Sequence, residues 1–182
     1  MAELDGRTIA FLATDGFEDS ELTSPWDAVT GAGARAVLVS AKEGAITGKK
    51  GHEATVDQTT SASDPSAFDG LVLPGGVVNA DHIRMDEDAV AFARHFFEAG
   101  KPVGVICHGA WILADADVLK GRTLTSYASL KTDLRNAGAT WVDEEVHVDQ
   151  GLVSSRTPDD LPAFNAKIVE EFAEGRHEGQ QA

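Results

Sequence analysis

The residues best suited to chemistry form one short stretch, Cys107-His108-Gly109, which follows the apolar run Val103–Ile106. Cys107 is the only cysteine in the chain. An apolar run that ends in a turn and continues into helical composition predicts a strand–turn–helix corner, where a nucleophile is presented. The helix amides would favour an anion, so the sequence predicts a thiol pKa below the roughly 8.5 of free cysteine. The alternative is a buried cysteine that packs as a small hydrophobic side chain.

Pro74-Gly75-Gly76 closes a second apolar run, Gly70–Leu73. If the two runs are neighbouring strands of one sheet, this turn faces the cysteine corner. Free N–H groups of the turn, together with that of His108, would then form an oxyanion hole. Pro-Gly-Gly alone is a weak signal, because many turns contain it.

Glu18 and Glu21 follow the first predicted strand and supply carboxyl groups at the same edge. A carboxyl group beside a thiolate is expected to be protonated and to donate a hydrogen bond. Either glutamate could do this, and the alternative for both is a solvated helix N-terminus. His108 could serve as the base if the corner turns its ring towards Cys107, with a third acidic group orienting the imidazole.

Alternating strands and helices are expected to position these residues. Strands are predicted over 8–14, 35–40, 70–73, 103–106, 123–125, 140–143, 146–149 and 152–155, with a small antiparallel excursion over 44–56 and a polar connector over 57–69. Helices are predicted to about residue 31 and over 86–99, 110–116, 130–137 and from 158 onward. This order predicts an α/β fold with a mostly parallel sheet covered on both faces.

The length of 182 residues fits a single domain over 1–182, with about 174–182 as a frayed tail. No apolar run approaches the roughly 18 residues of a membrane span, and no signal-peptide pattern is present, so no membrane association is expected. A lone cysteine excludes an internal disulfide and a multi-cysteine metal site, and it suits a reducing cytoplasm. The histidines other than His108 do not have the spacing of metal ligands, so we expect neither a metal nor a cofactor. These histidines are His52, His82, His95, His147 and His177.

Thirty acidic and fifteen basic residues give a formal charge of −15. Such a charge disfavours general electrostatic binding to nucleic acid or to an anionic membrane. The acidic residues are dispersed, which suggests adaptation to high salt, where their mutual repulsion is screened. An ordinary acidic cytoplasmic protein is the alternative, and unfolding at low salt would separate the two hypotheses.

Several of these motifs together resemble the PfpI branch of the ThiJ/PfpI superfamily. The resemblance covers nearly the whole chain and includes segments 17–22, 73–76, 106–109, 125–127 and 153–161. It implies a flavodoxin-like three-layer sandwich related to class I glutamine amidotransferases. The superfamily includes intracellular cysteine peptidases, glyoxalase III-type enzymes and proposed protein deglycases.

The resemblance also implies roles for individual residues. Asp81 would reach the histidine of a neighbouring subunit. Two departures from the pattern, Ala110 and Ala80 in place of prolines, loosen the loops that carry these groups. The other implied roles are Cys107 as nucleophile, His108 as base, Glu21 as the carboxyl partner with Glu18 as the alternative, Gly76 and His108 as oxyanion donors, and Gly75, Gly109 and Tyr127 as lining residues.

The sequence therefore predicts a cytoplasmic cysteine hydrolase of PfpI type that acts on a peptide or small carbonyl substrate. We expect a homo-oligomer, from dimer to hexamer, with a site shared across an interface. Glyoxalase or deglycase chemistry on methylglyoxal or its adducts is the first alternative. A stress sensor or chaperone that relies on oxidation of Cys107 is the second.

Overall fold

The computed structural model describes residues 1–182. The strands are β1 (Thr8–Leu12), β2 (Arg35–Ser40), β3 (Ala45–Thr47), β4 (Glu53–Thr55), β5 (Gln58–Thr59), β6 (Gly70–Leu73), β7 (Val103–Ile106), β8 (Thr123–Leu124), β9 (Thr140–Trp141), β10 (His147–Asp149) and β11 (Leu152–Ser155). The helices are α1 (Asp19–Gly31), α2 (Val77–Ile83), α3 (Glu87–Glu98), α4 (Trp111–Asp115), α5 (Lys131–Asn136) and α6 (Leu161–Glu174). None of them has the length and hydropathy needed to cross a membrane.

Seven strands form the central sheet in the order β10-β11-β7-β6-β1-β2-β5. All neighbours are parallel except the edge pair β10–β11. The inner strands β6, β7 and β11 are buried along their whole length, which is why they appear in the sequence as short apolar runs. The main chain therefore has the mostly parallel α/β sheet that the sequence predicts.

Two hydrophobic clusters cover the two faces of this sheet. One contains Phe92, Phe96 and Phe97 of α3 and residues of α4 and α5. The other contains Phe164, Ile168 and Phe172 of α6 and residues of α1. The result is a three-layer sandwich, in which helices exclude water from both faces of the parallel strands.

Three elements differ from the predictions. Helix α2 covers seven residues directly after Pro-Gly-Gly and was not predicted, because its short sequence has neither a side-chain cap nor a full apolar stripe. Strand β5 lies within the predicted connector and is a two-residue polar edge strand. The predicted helix over 110–116 begins as a 3-10 turn at Cys107–Ala110 and becomes α4 only at Trp111.

The tail after Glu174 also differs from the frayed segment that the sequence suggests. Gln180 is buried, and its side-chain amide donates a hydrogen bond of 3.1 Å to the carbonyl oxygen of Lys101. The His177 N–H donates to the carbonyl oxygen of Gly100 at 2.8 Å. Residues beyond α6 are thus packed against the start of β7.

Candidate active site

The carboxyl ends of β1, β6 and β7 lie side by side in the sheet, so the loops that follow them meet at one edge. They enclose a cavity of about 270 Å³. Six of the residues singled out in the sequence line this cavity, together with three others, whereas the predicted site residues Gly75, Gly109 and Asp81 are not among its lining. The lining residues are Glu18, Glu21, Lys49, Gly76, Val77, Cys107, His108, Tyr127 and Pro158.

Cys107 occupies a strained corner between β7 and α4. Its φ of 60° lies in the left-handed region, which costs a non-glycine residue on the order of 1–3 kcal/mol. Gly109 allows this corner to pack against the preceding loop, since a Cβ there would approach the carbonyl oxygens of Leu73 and Pro74. The predicted strand–turn–helix corner is therefore present, and strain of this kind is typical of functional sites.

The Cys107 thiol is 8 % exposed and faces hydrogen-bonding groups. Its Sγ lies 3.3 Å from Nδ1 of His108. The backbone N–H groups of Gly76 and His108, the two predicted oxyanion donors, lie close enough to the sulfur to favour its ionised form. Paired N–H donors of this kind can stabilise negative charge on the oxygen of a bound carbonyl.

Burial and the charge of the Glu21 carboxylate raise the pKa of Cys107 to about 12, against the opposing effect of the two N–H donors. The predicted pKa below that of free cysteine is therefore wrong for this chain. The backbone amides on which that prediction rested are present and lower the pKa, but burial of the sulfur away from water raises the pKa by more. The thiol needs a base to become a nucleophile.

Glu21 is the carboxyl group that meets Cys107. It is fully buried, and its Oε1 accepts a hydrogen bond of 3.0 Å from the Gly75 N–H. Its Oε2 has no well-aligned partner, and the Cys107 thiol is close enough to interact with the carboxyl. Burial raises the pKa of Glu21 to about 8, so the group is protonated at neutral pH and can donate to the sulfur.

Glu18, the alternative carboxyl, has a different environment. Its two oxygens pair with the ammonium groups of Lys49 at 2.7 Å and Lys50 at 2.9 Å, in the turn between β3 and β4. Burial raises the pKa of Glu18, but these hydrogen bonds and charges outweigh it and hold the pKa below its usual range. Glu18 is therefore an ionised group that anchors this turn over the cavity.

His108 is positioned to accept the thiol proton. Its Nε2 lies 3.2 Å from Oγ of Ser129, and its ring stacks on Tyr127 with centroids 4.7 Å apart. Burial, with a smaller effect from the charge of Lys49, lowers the pKa of His108. The imidazole is consequently neutral at physiological pH, which is the state a general base requires.

Asn79 holds the Pro-Gly-Gly turn in place and was not singled out in the sequence. Its Nδ2 donates to the carbonyl oxygens of Pro74 at 3.1 Å and Gly75 at 3.0 Å, and its Oδ1 accepts from the Thr14 N–H at 2.7 Å. These bonds tie the loops after β1 and β6 together. Neither Asn79 nor Ser129 could be found from a spacing rule, since each acts through contacts made only in the folded chain.

Asp81 is not among the contacts of His108 in its own chain. It is exposed on α2 and is not among the residues that line the cavity. Large apolar side chains are exposed nearby on this part of the surface; they are Val77, Val78, Met85 and Tyr127. The single chain thus leaves the third group of the predicted Cys–His–acid arrangement outside its site.

The chain is similar to a described protein family, to curated proteins and to solved structures. The model of the DJ-1/PfpI family matches residues 7–171. Protein/nucleic acid deglycase 2 of Escherichia coli (strain K12) is 48% identical over 166 residues, which cover 90% of this chain and 96% of the relative. YraA of Bacillus subtilis (strain 168), named as a candidate cysteine protease, is 47% identical over 164 residues. This match also covers 90% of this chain and 96% of the relative.

A solved structure from Anabaena variabilis, a two-domain protein with DJ-1/ThiJ/PfpI-like and ferritin-like domains, superposes with a TM-score of 0.88 at 33% identity. The match covers 90% of this chain and 47% of that protein, so the chain spans about half its length. The expected flavodoxin-like fold is confirmed, and the chain belongs to the DJ-1/PfpI family.

Replacing Glu21 by Leu is expected to slow oxidation of Cys107 by hydrogen peroxide at pH 6.5 by roughly tenfold, because the thiolate loses a charge-assisted hydrogen bond. The rate is measured by mass spectrometry of the oxidised thiol. Glu21→Gln keeps a neutral donor and should remain close to the native rate, as should Glu18→Leu. A slower rate in Glu18→Leu alone would transfer the role to Glu18.

Proposed function

We propose that this chain is a cysteine-dependent enzyme that adds the Cys107 sulfur to the carbonyl carbon of a small substrate and completes the reaction by hydrolysis. The observation that carries the proposal is the 3.3 Å contact between Sγ and Nδ1 of His108 inside a cavity of about 270 Å³. This volume lies below the roughly 300–1,000 Å³ of pockets for drug-sized ligands. A small carbonyl compound or a glycated side chain fits it better than an extended peptide.

The first step uses groups already in place. The sulfur forms a bond to the carbonyl carbon as its proton passes to Nδ1 of His108. The carbonyl oxygen gains negative charge, which the N–H groups of Gly76 and His108 stabilise. His108 then returns the proton to that oxygen, and the product of addition is a neutral hemithioacetal. Protonated Glu21 avoids a second negative charge beside the sulfur during this step.

A 2-oxoaldehyde such as methylglyoxal can proceed from this adduct without an external oxidant. Moving the hydrogen of the former aldehyde carbon to the neighbouring carbonyl carbon, as a proton, gives a thioester of a 2-hydroxy acid. Water then cleaves the thioester and restores the thiol. The overall reaction consumes one water per methylglyoxal and yields lactate. In a hemiaminal adduct the aldehyde carbon already carries an amine. The sulfur would take its place, since the C–N bond breaks as the C–S bond forms and the thiol proton passes to the nitrogen. The products are the free amine and the same hemithioacetal, which is deglycase chemistry.

Peptide or amide hydrolysis is the second candidate. The same nucleophile, base and N–H donors suit a tetrahedral intermediate of acyl transfer, and the name of the Bacillus subtilis relative points to this activity. It requires a longer substrate to reach a thiol on a residue that is 8 % exposed.

The name of the Escherichia coli relative points instead to deglycation, of protein and of nucleic acid. The charge of −15 favours small or protein-borne substrates over a nucleic-acid polymer.

One set of assays separates these candidates. Purified protein at high salt is incubated with methylglyoxal, with its adduct on an N-acetylated amino acid, and with a fluorogenic peptide, each beside Cys107→Ala. Loss of methylglyoxal or release of the free amine, abolished in Cys107→Ala, is expected. Peptide cleavage alone would favour the protease alternative. No turnover of any substrate, with rapid peroxide oxidation of Cys107, would favour the redox sensor.

The site also suggests assembly into a homo-oligomer in the cytoplasm. A second copy of the chain would cover the exposed apolar side chains Val77, Val78 and Met85, and it would bring an acidic group such as Asp81 towards His108. The reducing cytoplasm would keep the single catalytic cysteine as a thiol. Contacts between chains that each carry a charge of −15 are expected to strengthen with salt.

Mixed subunits test the shared site. Cys107→Ala and Asp81→Ala proteins are each expected to be inactive and to recover part of the native activity when exchanged, because some interfaces then carry both intact groups. Exchange is verified by native mass spectrometry at high salt, and activity is followed with methylglyoxal. Lowering the salt should dissociate the oligomer and stop turnover together. Full activity in a monodisperse monomer would overturn this proposal.

A further inference from the structure

A cluster of metal-binding side chains lies at the C-terminal end of α6, away from the active-site cavity. Glu171, Glu174 and His177 each direct one ligand atom to a common region, and these atoms all lie within 4.8 Å of one another. Nε2 of His177 is 3.1 Å from Oε2 of Glu171 and 3.9 Å from Oε2 of Glu174. Since Pro158, just before α6, lines the cavity, the helix places this cluster at the opposite edge of the sheet.

Two of the ligand atoms are buried without a hydrogen-bond partner. Glu171 is 6 % exposed, and neither its Oε2 nor Nε2 of His177 has a partner. The two atoms are 3.1 Å apart, close enough for an ion pair, but they form no aligned hydrogen bond. Ligands about 2.0–2.2 Å from a tetrahedral Zn²⁺ are separated by roughly 3.3 Å, which is close to this spacing.

Neither carboxylate of this cluster pairs with a lysine or an arginine. The last turn of α6 has no basic residue, although the C-terminal end of a helix favours a cation. Lys167 pairs with Glu170 at 2.8 Å, while the guanidinium groups of Arg7 and Arg176 donate to the carbonyl oxygens of Ala173 and Ala99.

We propose that Glu171, Glu174 and His177 bind one divalent transition-metal ion of the kind that prefers imidazole and carboxylate ligands, such as Zn²⁺. The ion would tie the tail to α6, because His177 lies beyond the helix and its N–H is bonded to Gly100. The family match ends at residue 171, so most of the site lies outside it. The proposal is independent of the reaction at Cys107.

The histidine spacing did not indicate this site because the helix ends between its ligands. Glu171 and Glu174 are one turn apart on α6, whereas Gly175, with a φ of 85°, reverses the chain before His177. The imidazole returns to the glutamates only through that reversal. The prediction that the chain has no metal site is therefore replaced here by this proposal.

The test uses full-length protein that has been treated with a chelator and carries Cys107→Ala, which removes the active-site thiol as a competing ligand. Zn²⁺ is titrated by calorimetry, and the melting temperature is measured at each concentration. Binding of one Zn²⁺ per chain is expected, with the melting temperature raised by about 5 °C or more at 100 times Kd. Mg²⁺, which binds poorly to imidazole, should give no comparable shift.

Matched variants locate the site. His177→Gln and Glu174→Gln, each in the same background, should weaken Zn²⁺ binding by about tenfold or more. Glu174 is exposed, so its substitution leaves the fold intact and keeps the test valid if His177→Gln unfolds. His147→Gln is the control, because His147 also lies beside a glutamate, Glu144, but forms an ordinary 2.8 Å pair. No stoichiometric binding, or equal affinity in Glu174→Gln, overturns the proposal.

Discussion

Replacing His108 by Asn is expected to lower kcat/KM of the Cys107-dependent reaction by about 10²- to 10⁴-fold, the usual contribution of a general base. The reason is the protonated state of the nucleophile. Burial raises the pKa of Cys107 well above that of free cysteine, so very little of the thiol is ionised at pH 7 without assistance. Nδ1 of His108, 3.3 Å from the sulfur, removes this limitation by accepting the proton as the sulfur attacks. Asparagine retains a polar group near Nδ1 but does not titrate.

The pH dependence distinguishes a lost base from a distorted site. Native activity should rise through the lowered pKa of His108 and then level off, because only the neutral imidazole accepts a proton. It should fall above about 8, where Glu21 ionises beside the sulfur. In His108→Asn the plateau should disappear, and the rate should rise about tenfold per pH unit between pH 5 and 8 as the thiolate fraction grows.

Ser129→Ala is the matched control for this experiment. It removes the 3.2 Å partner of Nε2 but leaves Nδ1 beside the sulfur, so a smaller loss and a preserved plateau are expected. Rates are measured with methylglyoxal from pH 5 to 9 in buffers of constant ionic strength. A His108→Asn protein with a native plateau would show that another group accepts the thiol proton.

Replacing Glu21 by Gln is expected to stabilise the folded protein at alkaline pH. The carboxyl has a pKa of about 8 in the folded chain and an ordinary value of 4.5 when unfolded. The folded state therefore keeps its proton while the unfolded state releases it, and stability falls as the pH rises from about 4.5 to 8. This difference corresponds to roughly 5 kcal/mol when complete.

Glutamine does not titrate, still accepts from the Gly75 N–H and still donates towards the sulfur. Urea unfolding at pH 5, 7 and 9 should therefore show a growing advantage of Glu21→Gln over the native chain, with little difference at pH 5. Glu18→Gln should show the opposite sign, because the pKa of Glu18 is lowered by Lys49 and Lys50. Its native carboxylate stabilises the fold above its unfolded pKa, and this contribution is lost as the pH falls. Parallel curves for native and Glu21→Gln protein would contradict a buried, protonated Glu21.

The parts of the molecule that the sequence alone determined are those that depend on local patterns. The buried parallel strands appear as short apolar runs because both of their faces are covered, and the glycines mark the turns at their ends. The corner at Cys107 follows from the run before it and the helix after it. The family is also evident, because its motifs occur in order along nearly the whole chain.

The tertiary structure decided what depends on contacts between distant segments. The choice between Glu21 and Glu18 rests on two lysines in a turn some thirty residues further along the chain, which hold Glu18 ionised and leave Glu21 for the sulfur. The direction of the thiol pKa depends on burial, which outweighs the N–H donors that the sequence suggested. His177 joins two glutamates only after the chain reverses at Gly175. In each case the protonation state or the ion pairing of a side chain depends on its burial and on neighbours that only the folded chain brings close. Local sequence spacing contains neither kind of information.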